Sequence, residues 1–519
     1  MAYITKAFGH PAQQILSLFI FLILLYSVFP TRNHYWDGIG FALNIEGTPQ
    51  DLSGFILNPP AAAQLPRVYY NPNHLLHNFL GYLLYRPLLS LFPQIRAHDI
   101  LTALSCLLSA STCCLIFAML RRWTANLQLS LWATLLMAFS ATWWKFSTDV
   151  DTYIPPVFLL SLATWTFTAG RRILPAALLH ALAMLLHQIA IFFLPAALYA
   201  VWCQTRSRAA CLRYLFAAGL PVIASYAIVW FYVLNGTPSV HDFLAWLTSN
   251  GNDVYSQRAL GDSLLENARS LIRLFFGGKI KNATQYISQP LLWILAPILL
   301  ATLAHFLHQL WHLRKTTNPP APTSPIRPRG FLLLWILSYL CFLTFWLTEY
   351  PYYRLFCLPA LVLLIGVSLP ARALPLMRAF VICMALSNFT FYIYPYSKSE
   401  ATPPVHLAMN THSVWKQDEL VLFKEFTCDN WIMKHFNPKT TWRQTTALQT
   451  DLDALTSEIT TTMSQRRAVW IDTSLLAAIR SSPSATAWIA ERYLMSNPWG
   501  ISNAKHHIQF VKLESRLDP

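Results

Sequence analysis

The feature that most constrains this chain is a succession of apolar stretches, each long enough, or nearly so, to cross a bilayer as a helix. A hydrocarbon core about 30 Å thick is spanned by about 20 residues of α-helix, and no other open structure satisfies its own backbone there. Read with that rule, the sequence predicts eleven spans, near 12–30, 99–120, 127–144, 153–169, 173–187, 189–203, 214–234, 286–310, 331–348, 355–370 and 376–394. With 55% hydrophobic and only 12% charged residues, an ordinary soluble globular protein is excluded. The first span follows Lys6 and lacks a small-residue cleavage site before Pro30 and Thr31, so it reads as a retained anchor.

A formal net charge of +15 would, in a soluble protein, invite a nucleic-acid partner. Its distribution argues otherwise. The segment 74–92 contains Arg86 and Pro87, and if it lies along the surface the loops sort cleanly by charge. One side then carries Lys6, Arg121, Arg122, Arg171, Arg172, Arg206, Arg208, Arg213, Arg314, Lys315, Arg327, Arg329, Arg372 and Arg378, fourteen cations and no acid. The other side holds all 23 acids with the remaining 24 cations. The excess of cations on short loops marks the cytoplasmic side. The sequence therefore predicts a cytoplasmic amino terminus, an extracytoplasmic carboxy-terminal region, membrane lipids as neighbours and no nucleic acid.

Three polar regions result on the outer side: 31–98, 235–285 and the tail 396–519. Within the second, 262–277 spaces its apolar residues helically, with Arg269 and Arg273 on another face, as in an interfacial amphipathic helix or a helix packed on the protein. The tail alternates strand-like runs, "ELVLF" and "RRAVWIDT", with helix-like stretches such as "CDNWIMKHF". The predicted architecture is an α-helical polytopic membrane domain over 1–395 followed by a small α/β domain over 396–519. The stretch "TTNPPAPTSPIRPRG" reads as a Pro-rich inside linker. The cysteines are scattered in apolar segments, with Cys428 in the tail, and define no disulfide framework or metal spacing.

Chemistry is sought on the outer side. Asp37, in "YWDG", stands just beyond the first span, where partial desolvation would raise its pKa toward that of a useful general base. An Asp-Gly turn or helix cap is the plainer reading. In "WWKFSTDVDTYIPP", Asp149 and Asp151 could hold a divalent cation such as Mg or Mn, or a sugar hydroxyl, and Lys145 could meet a phosphate. Helix capping would use the same residues. His74 and His77 lie three apart, and His187 with Gln188 separates two short apolar segments. Hydrogen bonding to a phosphate suits these histidines better than metal ligation, for which no third ligand is evident. Tyr153, two residues after Asp151, joins them as a candidate substrate contact. In "FWLTEYPYYRLFCLP", Arg354 could hold an anionic headgroup, pair with Glu349, or simply snorkel.

Taken together, "YWDG", "NPNHLLHNFLGYLLY", "WWKFSTDVDTYIPPVFLLSLA" and "LLHALAMLLHQIAIFFLPAAL" resemble the C-type (GT-C) glycosyltransferase superfamily. The likeness is to its bacterial branch related to protein O-mannosyltransferases and lipid A aminoarabinose transferases, and covers roughly 12–395. The resemblance implies surface-lying helices in the first outer loop and an acid there acting at the acceptor, which Asp37 matches, with a second acidic site in the next loop, which Asp149 and Asp151 match. It implies transfer of a sugar from a polyprenyl-phosphate carrier to a glycan, lipid or protein acceptor, in a bacterial inner membrane. The sequence departs from the family in having Asp37 followed by glycine instead of a second acid, and Asp-x-Asp in place of glutamates. Two other classes stay open. A transporter of lipid-linked saccharides would place ionisable residues deep in its helices or show internal repeats. A polysaccharide polymerase or ligase would use arginines of a large outer loop, here Arg258, Arg269 and Arg273.

Overall fold

A computed structural model describes residues 11–34, 36–47, 69–170, 172–249, 259–313, 328–410, 414–415, 419–424, 430–437, 441–445, 452–480, 493–502 and 507–515. Lys6, Arg171, Arg258, Arg314, Lys315, Arg327 and Cys428, and most of the Pro-rich linker, lie outside them. The chain divides into two compact units, Met1–Thr31 with Gln64–Pro395, and Arg32–Ala63 with Tyr396–Pro519.

The elements, in chain order, are α1 (Pro11–Val28), α2 (Trp36–Ile45), α3 (His77–Leu91), α4 (Ala97–Thr124), α5 (Leu127–Ala138), α6 (Ala141–Ser147), α7 (Ile154–Gly170), α8 (Ile173–Leu186), α9 (Leu194–Thr205), α10 (Arg208–Ile228), α11 (Val240–Leu247), α12 (Leu260–Phe275), α13 (Ile280–Tyr286), α14 (Gln289–Leu313), α15 (Pro328–Phe345), α16 (Leu358–Ser368) and α17 (Leu374–Asn388). The tail adds α18 (Pro403–Asn410), β1 (Leu420–Lys424), α19 (Asn430–Phe436), β2 (Thr441–Thr445), α20 (Leu452–Ser464), β3 (Val469–Asp472), α21 (Thr473–Arg480), β4 (Tyr493–Met495), β5 (Trp499–Ser502) and β6 (His507–Ser515).

Among the described residues six helices are long and apolar enough to cross a membrane, and five shorter apolar ones stand at the remaining predicted positions. The chain is an integral membrane protein. The 15-residue α3, which covers most of 74–92, is not among these helices. Two helix pairs turn back in two residues. Ala125 and Arg206 end α4 and α9 in the left-handed conformation, and Asn126 and Ser207 then cap α5 and α10 by accepting from Leu129 N and Ala210 N. Many hydroxyls on the apolar helices bond back to their own helix, as Thr112 to Leu108 O and Ser161 to Val157 O.

The predicted span 127–144 differs in one respect: α5 stops at Ala138 and α6 starts afresh at Ala141. The cause is a buried asparagine. Asn388 Nδ2 donates to Phe139 O at 2.8 Å and Phe275 O at 2.7 Å, and its Oδ1 accepts from Gly277 N at 3.1 Å. It thereby joins the ends of α5, α12 and α17, and the chain continues from it through a π-helical turn, Phe389–Ile393. Gly277 allows the approach, since a Cβ there would meet Tyr392 and Ala141.

The second unit is a mixed sheet in the order β2-β1-β3-β6-β4, with β5 also on β6. β1 runs parallel to β2 and β3, and β6 antiparallel to β3, β4 and β5. Strand alternation sends Val421 and Phe423 to one face and Leu420 and Leu422 to the other. Residues of α20 and α21 cover the second face, where Ile459, Leu475 and Leu476 pack. The first face holds Ile432 and Met433 of α19 together with Ile39 and Leu43 of α2. The helix that carries Asp37 is thus part of the core of this unit, although 375 positions of sequence separate its end at Ile45 from the start of β1 at Leu420. Truncating the buried Leu43 to alanine costs about 2–5 kcal/mol. Leu43→Ala is expected to make the tail cleavable by protease at a temperature where the parent resists, and equal resistance of both would place α2 outside the core.

Candidate functional site

The polar residues of the first unit collect where its helices break. The short α6 brings Lys145 one turn before Asp149, and their side chains meet at 2.8 Å, both buried. Asp149 Oδ1 also accepts from Val150 N at 2.9 Å, and Asp151 Oδ1 from Thr152 N at 2.6 Å. Burial pulls the Lys145 pKa down, but the adjacent Asp149 carboxylate outweighs it and holds the ammonium above its ordinary value. The same Nζ lies 4.3 Å from the centre of the Phe146 ring.

From Phe146 an aromatic wall runs to the histidines. Phe146 meets Tyr153 at 5.3 Å, and Tyr153 stacks on Tyr352 at 5.0 Å and lies 5.5 Å from His187. His187 in turn contacts His74 at 4.5 Å, Phe356 at 5.1 Å and Tyr353 at 6.2 Å. His74 is placed by a 3-10 turn that Asn71 caps and Pro72 begins, and Tyr226 Oη anchors this turn by donating to Pro72 O at 2.6 Å. Burial holds His74 well below the usual histidine range and lowers His77 to about 4, so both are neutral at pH 7.

His187 ends α8 in extended backbone, and its Nδ1 accepts from Ile189 N at 3.3 Å. The neutral ring therefore carries its proton on Nε2, which is buried and has no hydrogen-bond partner among the described residues. The same residue lines a cavity of about 480 Å³. Its walls are mostly apolar, from Met184, Phe192, Ile223, Phe243 and Phe342, with Asn73 and Gln188 beside His187 as polar members. Gln188 Nε2 donates to Leu247 O at 3.3 Å.

Arg354 is fully enclosed and set differently from the headgroup ligand its sequence position invites. Its Nε and Nη2 donate to Asn267 Oδ1, Nη2 also to Thr348 O at 2.8 Å, and Nη1 to Tyr350 O at 2.8 Å. Burial lowers its pKa to about 10, which leaves it charged. The half-buried Glu349 accepts from Thr348 Oγ1 at 3.3 Å. Asp37 belongs to the other unit, in the first turn of α2. Solvent reaches its carboxylate, yet the protein crowded around it excludes enough water to raise its pKa to about 6.

Asp149 and Asp151 make a poor cradle for a divalent cation. Such an ion asks for an octahedral or larger set of oxygens, whereas Asp149 already holds an ammonium group, and the described residues contain no cluster of three His, Cys, Asp or Glu side chains. Sequence reasoning had not singled out Tyr352, Tyr353, Asn73 or Asn267. A polar residue in an apolar helix is costly, and that signal alone would have pointed to Asn388.

No family profile matches this chain, and a search of curated proteins found no match. Solved structures do match. ArnT from Cupriavidus metallidurans bound to undecaprenyl phosphate superposes with a TM-score of 0.55 at 13% identity, over 96% of this chain and 97% of that one. ArnT from the same organism in the apo state gives 0.53 at 13% identity, over 97% and 98%. The chain thus has the fold of ArnT.

Removing one partner of a buried ion pair leaves an uncompensated charge, at a cost of about 3–5 kcal/mol. Lys145→Met and Asp149→Asn are each expected to lower the melting temperature in detergent, and the double variant to recover most of the loss. Additive losses would show that the two groups act separately.

Proposed function

We propose that this protein is a membrane glycosyltransferase that moves a sugar from a polyprenyl-phosphate carrier to a hydroxyl or amine of a glycan, lipid or protein acceptor. The observation that carries the reading is an apolar cavity with His187 among its lining residues, on a fold shared with a protein solved with undecaprenyl phosphate. An isoprenoid chain matches the cavity walls, and a phosphate matches the hydrogen-bond donor on His187. Bacterial inner-membrane residence, with a cytoplasmic amino terminus and an extracytoplasmic tail, belongs to the same reading.

In the reaction, the acceptor oxygen or nitrogen attacks the anomeric carbon and gives its proton to a carboxylate, the role that the sequence resemblance assigns to Asp37. The bond from that carbon to the phosphate oxygen breaks, and its electron pair leaves with the phosphate. Attack opposite the leaving group inverts the anomeric centre. Lys145 supplies the positive charge that the departing phosphate needs, in a site with little water to screen it. His74, His77 and His187 donate or accept hydrogen bonds without adding charge, beside the aromatic wall of Tyr153, Tyr352 and Tyr353.

A base with a pKa of about 6 works only when ionised, so transfer is expected to fall as pH drops through 6 and to level off above it. The test uses membranes containing the chain and a panel of radiolabelled polyprenyl-phosphate monosaccharides, with Asp37→Asn beside the parent. Loss of a proton acceptor costs about 10²–10⁴-fold. Transfer by the parent and at least a hundredfold less by the variant is the expected result. Equal transfer would move the base to Asp149 or Asp151, and transfer from no donor in the presence of acceptor would contradict the reaction class.

A further inference from the structure

Helix α12 is amphipathic in the opposite sense to a helix of a soluble protein. At 3.6 residues per turn, Ser263, Asn267, Ser270 and Leu274 form one stripe, and all four are buried. This stripe faces the protein and is mostly polar. Asn267 Nδ2 donates to Thr344 Oγ1 at 2.8 Å, its Oδ1 receives Arg354, and Ser270 Oγ donates to Thr348 O at 2.8 Å. The opposite arc is apolar and open: Leu264, Leu265 and Ile272 are each at least half exposed. A third arc carries Glu266, Arg269 and Arg273, the first two as an ion pair.

A helix that hides its polar stripe and presents leucine and isoleucine outward has an apolar medium on that side. Neighbouring segments of the chain are apolar and exposed too. Phe276 and Ile280, just past the end of α12, are exposed as well, as are Trp293 and Ile294 at the start of α14, one of the helices long enough to span. We propose that α12 is an in-plane helix whose apolar arc is covered by lipid acyl chains at the edge of the bilayer, with its charged arc among the headgroups. Its buried polar stripe is then what holds the helix down. Through Asn267 and Arg354 it also fastens the turn Tyr350–Tyr353 that closes the aromatic wall, which makes Arg354 a positioning residue.

The inference is independent of the chemistry catalysed, and the experiment reads neither transfer nor donor binding. The full chain is reconstituted in phosphatidylcholine vesicles doped with a phosphatidylcholine whose acyl chain carries a diazirine, irradiated, and mapped by peptide mass spectrometry. Adducts on Leu264, Leu265 or Ile272, at a yield within a few fold of those on Trp293 and Ile294, are expected. An unlabelled α12 beside a labelled α14 in the same sample would overturn the proposal. In Asn267→Leu, which cannot bond Arg354 or Thr344, adducts on α12 are expected to fall at least fivefold with α14 unchanged, whereas Asn267→Asp keeps the acceptor and the parent pattern. Unchanged labelling in Asn267→Leu would overturn the role of the polar stripe.

Discussion

A backbone carbonyl that leaves a helix inside hydrocarbon has no water to turn to, and the irregular parts of this protein are organised around that cost. Several of the described breaks are met by a dedicated side-chain donor. His180 Nε2 meets Ala190 O at 3.0 Å in the 3-10 turn before α9, with Tyr214 Oη 2.9 Å from its Nδ1. Trp335 Nε1 donates to Phe356 O at 2.9 Å in the turn before α16. Asn388 serves Phe139 and Phe275, and Arg354 serves Thr348 and Tyr350. At these places a handful of large polar residues, His180, Trp335, Arg354 and Asn388, satisfies the carbonyls that the bends free.

The candidate site occupies the bends so produced. His187 sits where α8 gives way to a 3-10 turn, Lys145 and Asp149 where α5 gives way to α6 and the loop beyond, and Tyr352 and Tyr353 in the turn that Arg354 closes. Low polarity sets the charge states of these groups. Histidines packed against one another and against aromatic rings stay neutral, while a lysine keeps its proton because a carboxylate is within hydrogen-bond distance. The result is one paired charge beside a neutral donor surface. That suits an anion that must arrive, react and leave, since a cluster of bare cations would hold the phosphate product too firmly.

Much of the fold was legible in the sequence because an apolar run of about 20 residues has few alternatives in a bilayer. All eleven predicted segments coincide with apolar helices. The breaks were not legible: Phe139 and Ser140 look like any other residues of a span until Asn388, about 250 positions away, takes the carbonyl. Nor was the place of α2, whose Ile39 and Leu43 find their partners on strands at the far end of the chain. The histidines and Tyr153 stood out as polar or aromatic residues beside short apolar runs, and the structure brings them together. Arg354 stood out for the same reason, yet its donors turn inward to Asn267 and the backbone. Residue type and membrane depth identify a costly group, and only the partners tell whether it serves a ligand or the fold.

On the proposed reading, the cavity that His187 helps to line receives the carrier lipid. The most direct measurement is a cryo-electron microscopy structure of the full chain in nanodiscs with a non-transferable polyprenyl-phosphate sugar analogue. Isoprenoid density between Phe192, Ile223 and Phe342, with the phosphate within hydrogen-bond distance of His187 Nε2, is the expected result. Analogue bound elsewhere, with that cavity empty or filled by ordinary phospholipid, would contradict it.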